Sequence, residues 1–252
     1  MDSSTFNTLL YVWIAIGILL VPIQLYITAP YGRHSNNKWG PQIDNRLGWI
    51  IMEIVSPALF ASLFLLGSNP KSTPMWIFFA LYLLHYLNRS LIFPLRTRTR
   101  GKKMPLFIVF SAVLFNLVNG STNGYWLGTL GPVYSETWLN DPRFVIGFLL
   151  FVAGALINIQ ADNILLNLRK PGETGYKIPK GGLFRYISCP NHFGEIIEWT
   201  GFAIMCWNLP ALGFAVWTAA NLIPRAIAHH KWYREKFVDY PVERKAVVPG
   251  VV

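Results

Sequence analysis

Acidic side chains are scarce in this sequence. Its 252 residues hold 12 Asp and Glu against 22 Lys and Arg, and charged residues of both signs make up only 13%. A soluble globular domain carries about twice that share, so a water-exposed surface all round is excluded. Cysteine is almost missing: Cys189 and Cys206 have no Cys-x-x-Cys spacing, which rules out a disulfide scaffold and a cysteine-based zinc module. No glycine-rich Rossmann or Walker fingerprint occurs, which excludes a soluble nucleotide-binding domain. Solenoid-period repeats and low-complexity tracts are lacking as well. The formal net charge of +10 has no helix-turn-helix, zinc-finger or aromatic RNA-binding pattern beside it, so no nucleic-acid partner is expected.

What is present is apolar. Hydrophobic residues make up 53% of the chain and aromatics 15%, and seven apolar segments can be drawn, near 8–27, 47–66, 75–93, 105–118, 144–168, 193–207 and 209–225. The fourth and sixth are short for a span of about 20 residues. The stretch from Leu9 to Ile27 has neither a basic lead-in nor a small-residue cleavage site, and it reads as a retained helix. Basic residues gather in alternate loops, 28–46, 94–104 and 169–185, and in the tail; together these hold 19 of the 22. Cytoplasmic loops retain Lys and Arg. The expectation is a single membrane-embedded catalytic domain over 1–252, an all-α polytopic membrane protein with seven transmembrane helices, the N-terminus outside and the C-terminus cytosolic. The charge serves topology by itself, or it also meets a phosphorylated ligand on the cytosolic face.

Several polar groups stand where lipid would not want them, at a cost of a few kcal/mol unless they are partnered. Asn158, Asp162 and Arg169 step by four and seven along one stripe of the fifth segment. Either they clamp one helix to another, or they form a ligand stripe with Arg169 offering its fork to phosphate at the mouth. In the run 188–199, Asn191, Glu195 and Glu198 share a face, as solvated helix-entry acids or as part of a site. Arg225, His229 and Tyr233 step by four near the end of the last helix. Adjacent His229 and His230 point about 100° apart with no third ligand at metal spacing, so no metal site is expected. Ligand contact or interfacial anchoring remains for that segment. Glu53 lies in an apolar run without a neighbouring charge, where a neutral carboxyl can donate a hydrogen bond. Tyr82, Tyr86 and Arg89 follow i, i+4, i+7 on the third segment, and a Tyr hydroxyl near an acid can polarise a carbonyl.

Taken as strings, these residues resemble the steroid 5α-reductase family, and within it the type 2-like members. The likeness is densest in Asn-Ile-Gln-Ala-Asp at 158–162, Leu-Arg-Lys-Pro-Gly-Glu at 168–173 and Gly-Gly-Leu-Phe at 181–184. It continues in Gly-Glu-Ile-Ile-Glu-Trp at 194–199, His-His-Lys-Trp-Tyr at 229–233 and Asp-Tyr-Pro-x-x-Arg-Lys-Ala at 239–246. The first half is more weakly similar, through Glu53, His85-Tyr86-x-x-Arg89 and Arg100-Gly101-Lys102.

The resemblance implies a seven-helix enzyme that uses NADPH to reduce the 4,5 double bond of 3-oxo-Δ4 steroids. Glu53 and Tyr86 would be catalytic and, with Trp199, would bind substrate; hydride would go to C5 and a proton to C4. Lys102, Asn158, Asp162, Arg169, Tyr176, Lys177, Asn191, Glu195, His229 and Tyr233 would hold the dinucleotide. Lys102 and Lys177 stand where the family often has Arg, which makes their phosphate contacts less directional, and His192 replaces a more usual aromatic. The substrate, a steroid or another apolar enone, would enter a monomer from the bilayer, with membrane lipids as its other partners. The membrane would be that of the endoplasmic reticulum in a eukaryote, or the inner membrane in a bacterium. Alternatives are an enoyl or polyprenol lipid reductase, a membrane methyltransferase, and a transporter or sterol sensor whose acids couple protons.

Overall fold

The computed structural model describes residues 2–35, 37–97, 101–169, 173 and 175–252; the expected basic positions Arg98, Arg100 and Lys170, and Pro171 and Gly172 of the 168–173 string, lie outside the described residues. The chain forms two compact units, Met1–Leu10 with Ala29–Val145, and Tyr11–Thr28 with Ile146–Val252.

The fold is mostly helical. Helix α1 is Ser3–Tyr26, α2 Asn45–Leu66 and α3 Thr73–Leu87, which continues through a π turn, Asn88–Ile92, into α4, Phe93–Arg96. Then come α5, Leu106–Tyr125, extended by a π turn over Trp126–Leu130; α6, Pro142–Leu166; α7, Pro190–Cys206; and α8, Leu209–Lys236. Among the described residues, six runs are long and apolar enough to cross a bilayer: α1, α2, Thr73–Arg96, Leu106–Leu130, α6 and α8. Helix α7 has 17 residues, below the roughly 20 a span needs. Large apolar side chains such as Leu9, Leu19, Leu66, Phe110 and Leu149 stay exposed, as lipid-facing positions do, and the chain is an integral multi-pass membrane protein. One small departure from an all-helical chain is an antiparallel pair of strands, β1 (Gln42–Asp44) and β2 (Lys103–Pro105), with Ile43 opposite Met104.

In the first unit, α2 starts at Asp44, whose carboxylate accepts from the N–H groups of Arg46 and Leu47, a helix N-cap. Helix α5 lies against α2 along a four-residue glycine ladder. A β-carbon on Gly120 would meet the Ser56 carbonyl at 2.4 Å, one on Gly124 the Phe60 carbonyl at 2.8 Å, and one on Gly128 the Leu63 carbonyl at 2.2 Å. Without a water-driven hydrophobic force in lipid, such small residues let backbones approach and gain dispersion contact. This ladder also explains why the fourth apolar segment, expected to stop at 118, runs on to Leu130. The Asn, Gly, Ser and Thr residues from 116 to 124 depress hydropathy, yet Asn116, Asn119, Gly120, Asn123 and Gly124 are buried.

The second unit repeats the device with a seven-residue stride. Gly147 and Gly154 of α6 face Gly201 and Gly194 of α7: added β-carbons would fall 2.6 Å from the Gly201 carbonyl and 2.5 Å from the Gly194 carbonyl. In α8, Pro224 has no N–H to bond the carbonyl of Ala220 four residues earlier. Gln24 Nε2 of α1 donates to that carbonyl at 3.4 Å, restoring a partner to a group that lipid cannot satisfy. Nearby, Trp217 stacks on Trp13 at 4.4 Å and donates to its carbonyl at 2.9 Å.

Candidate active site

Polar residues buried within the helices form two clusters, one in each unit. In the first, α2, α3 and α5 contribute Ser56, Tyr82, Tyr86, Asn116, Asn119 and Asn123, all buried. Ser56 Oγ and the Tyr82 hydroxyl are 2.6 Å apart. Asn119 Nδ2 donates to Tyr82 OH at 3.0 Å, Tyr86 OH at 3.2 Å and Ser56 Oγ at 3.3 Å. The Tyr86 hydroxyl donates to Asn116 Oδ1 at 3.3 Å, and Asn116 Nδ2 donates to the Met52 carbonyl at 2.7 Å. Asn123 Nδ2 donates to the backbone and side-chain oxygens of Asn119 at 3.0 and 3.1 Å. Half-buried Glu53 follows Met52 on α2. Phe60 stacks on Tyr82 at 3.9 Å and walls the cluster. The π turn begins two residues after Tyr86, and Ser90 Oγ in it donates to the Tyr86 carbonyl at 2.6 Å. Such bulges inside helices are frequent at functional sites.

The second cluster joins α6 and α7. Asn158 Nδ2 donates to the Asn191 carbonyl at 2.9 Å and lies 3.5 Å from Glu195 Oε2. Asn191 Nδ2 donates to Asp162 Oδ1 at 3.3 Å. The glycine contacts hold these groups together: a β-carbon on Gly194 would meet the Asn158 nitrogen at 2.6 Å. The stripe at 158 and 162 and the face at 191 and 195 therefore form one hydrogen-bonded cluster. Glu198 is buried one turn further along, its nitrogen 2.4 Å from where a Gly154 β-carbon would stand.

The remaining expected residues take these positions. Arg169, past the end of α6, donates to the Gly175 carbonyl at 3.3 Å. Lys177 pairs with Glu173. The Tyr176 ring meets Trp232 edge-on at 4.8 Å, and His229 lies 5.6 Å from His192 between ring centroids. Tyr233 is buried and stacks on Tyr240 at 5.2 Å. Trp199 is buried among Phe151, Phe202 and Phe214. Lys102 sits in the first unit, lining with Lys103, Ser35, Gln42 and Asn45 a cleft of about 500 Å³.

Sequence reasoning missed Ser56, Asn116, Asn119 and Asn123. The signal was available: three Asn at i, i+3 and i+7 in an otherwise apolar helix. It also missed how the last segment is tied down. Ser188 Oγ stands 2.6 Å from both His230 Nδ1 and the Tyr240 hydroxyl, and Arg244 donates to the Pro179 carbonyl at 3.2 Å. The strand-like exchange of Ser188 and Cys189 N–H groups with the Lys245 and Ala246 carbonyls fixes the tail against the start of α7.

The fold and its two buried polar clusters define a multi-pass membrane protein with chemistry prepared inside its helices. The family model described as 3-oxo-5-alpha-steroid 4-dehydrogenase matches residues 102–252. The chain is 44% identical over 264 residues to "Steroid 5-alpha-reductase DET2" of Gossypium hirsutum, covering 99% of this chain and 98% of the relative. It is 42% identical over 250 residues to "3-oxo-5-alpha-steroid 4-dehydrogenase 1" of Bos taurus, with 98% and 96% covered. Against the Homo sapiens protein of the same description, it is 42% identical over 243 residues, with 96% and 93% covered. The chain belongs to the 3-oxo-5-alpha-steroid 4-dehydrogenase family.

Proposed function

We propose that this protein is an NADPH-dependent oxidoreductase that saturates the 4,5 double bond of 3-oxo-Δ4 steroids. The observation that carries the reading is Tyr86: a buried phenol that donates to the neutral Oδ1 of Asn116. A hydroxyl so held donates to the 3-oxo group, and Glu53 adds a second polar contact. Withdrawing electron density through the carbonyl leaves C5 electrophilic, and the same donors stabilise the enolate that develops. Apolar walls such as Phe60 exclude water and strengthen each of these contacts.

The donor set of the second cluster fits a dinucleotide. Asp162 and Glu195 offer acceptors to ribose hydroxyls, Asn158 and Asn191 offer both donors and acceptors, and Arg169 supplies a fork for phosphate. Tyr176, His229 and Tyr233 would add flat faces and polar edges, and Lys177 positive charge. When bound, NADPH would supply the hydride for C5, and a proton taken from water at C4 would convert the enolate to the saturated ketone. We further read α7 as a seventh crossing, with the N-terminus outside and the basic loops and C-terminus in the cytosol, as the distribution of Lys and Arg supports. On this reading the cofactor arrives from the cytosol and the apolar enone from the bilayer.

The test is purified protein in nanodiscs with NADPH and testosterone or progesterone, the product being identified by mass spectrometry and stereochemistry. A 5α-reduced steroid is the expected product. No oxidation of NADPH with any 3-oxo-Δ4 steroid, together with turnover of a linear enoyl lipid, would replace this reading by a lipid reductase.

A further inference from the structure

We infer that Asn119 is a positioning residue that directs the Tyr86 hydroxyl proton and strengthens it as a donor toward a ketone, with Asn116 as the acceptor that the ketone displaces. The inference rests on the reading of Tyr86 as the group that polarises the substrate carbonyl.

The argument is one of donors and acceptors. A backbone carbonyl can only accept, so the Asn116 group facing Met52 O at 2.7 Å is its NH₂, and its Oδ1 is left to face Tyr86. Oδ1 also can only accept. In this contact of 3.3 Å the phenol must therefore be the donor. At the other end, Asn123 Nδ2 gives to the carbonyl and to Oδ1 of Asn119 at 3.0 and 3.1 Å. That fixes Asn119 with its NH₂ toward the hydroxyls, where it donates to Tyr86 OH at 3.2 Å and Tyr82 OH at 3.0 Å. The result is a head-to-tail chain of donation, Asn123 to Asn119 to Tyr86 to Asn116 to Met52.

Two consequences follow from that polarity. An oxygen that already accepts a hydrogen bond is a stronger donor, because successive bonds in a low-dielectric interior polarise one another. The Asn116 acceptor is also a poor competitor: 3.3 Å is long for an O–H···O bond, whose usual length is about 2.7–2.8 Å. A ketone oxygen takes over the proton from Asn116 Oδ1 at little cost, while Asn119 keeps the phenolic oxygen in place. The four-residue glycine ladder of α5 presses these asparagines against α2, so their direction is set before substrate arrives.

The readout is the C3 carbonyl stretch of isotope-labelled testosterone bound to the full protein with NADP⁺ in nanodiscs, measured by difference infrared spectroscopy beside kcat and KM. Wild type is expected to shift the stretch to lower frequency, and Tyr86→Phe to lose that shift and most turnover. Asn119→Leu is expected to lose much of the shift and to lower kcat about tenfold or more with NADPH affinity unchanged, and Asn119→Gln to recover part of both. Asn116→Leu removes the competing acceptor and is expected to keep the shift and to lower KM for the steroid. Should Asn119→Leu fail to fold, Asn123→Leu gives a smaller loss of the same sign. A wild-type stretch and kcat in folded Asn119→Leu, or in Asn123→Leu where the first does not fold, with both lost in Tyr86→Phe, would overturn the inference and leave the reading of Tyr86 standing. An unaffected Tyr86→Phe would overturn that reading itself.

Discussion

The rings of Tyr233 and Tyr240 stack 5.2 Å apart with 7° between their planes, and Ser188 holds the Tyr240 hydroxyl at 2.6 Å. Tyr240 lies beyond α8, so the tail, not the helix alone, positions a residue expected to touch the cofactor. An aromatic pair of this kind contributes about 0.5–1.5 kcal/mol beyond simple burial. Tyr240→Leu should therefore raise KM for NADPH about three- to tenfold with kcat little changed, as initial-rate kinetics will show. Tyr240→Phe keeps the stack and should have the smaller effect.

Asn158 and Asn191 link α6 to α7 through partly buried hydrogen bonds at 2.9 Å and, onward to Asp162, 3.3 Å. Replacing Asn191 by Leu leaves the Asp162 carboxylate without that donor, a loss of about 1.5–3 kcal/mol for a bond to a charged group. Dinucleotide affinity measured by calorimetry should fall about tenfold to a hundredfold.

Helix contact through glycine makes a stability prediction. A β-carbon on Gly154 would stand 2.4 Å from the Glu198 nitrogen, and one on Gly120 2.4 Å from the Ser56 carbonyl; both obstacles are backbone. Gly154→Ala and Gly120→Ala should each destabilise by about 1–3 kcal/mol, read as a lower midpoint of thermal unfolding in nanodiscs. Gly120→Ala should also reduce turnover, because it displaces Asn119.

Asp141 precedes α6 and accepts from the Arg143 guanidinium at 2.9 and 2.8 Å and from its N–H at 2.9 Å. The side-chain bonds, then the backbone bond, pull its pKa from 3.8 down to about 2. A depressed folded value means that its stabilisation is present above the unfolded pKa and is lost as pH falls through about 2. The stability difference between wild type and Asp141→Asn should hold at neutral pH and vanish between pH 3.8 and about 2, as unfolding curves at stepped pH will show.

Among the described residues no three His, Cys, Asp or Glu side chains converge as a metal site would require. EDTA should leave NADPH oxidation unchanged. A strict requirement for added divalent metal would revive the metal reading of His229 and His230.

The sequence announced its helices wherever a helix faces lipid, because there hydropathy and location coincide. It misjudged α5, expected to end at 118, since Asn116, Asn119 and Asn123 turn inward and carry polarity into the bundle. The apolar pattern of the last segment ends at 225, yet the four-residue step of Arg225, His229 and Tyr233 carries the helix onward, and α8 runs to Lys236. Spacing placed Asn158 with Asp162 on one face of α6 and Asn191 with Glu195 on one face of α7, because each helix keeps its own residues in register; that the two faces meet was not legible in it. Partners between helices distant in sequence had no such signature. That Ser56 would meet Tyr82, or Ser188 both His230 and Tyr240, depends on how helices cross, and the glycines that set the crossing look in sequence like any other small residue.

An engineer seeking a hardier catalyst would ordinarily begin by exchanging helical glycines for alanine, a substitution that gains about 1 kcal/mol in an open helix. Gly120, Gly124, Gly147, Gly154, Gly194 and Gly201 all close that route, because each already has a neighbouring main chain where the methyl would go. Hardening of this scaffold has to come from its connecting loops and lipid-facing surfaces, with the seams between helices left as they are.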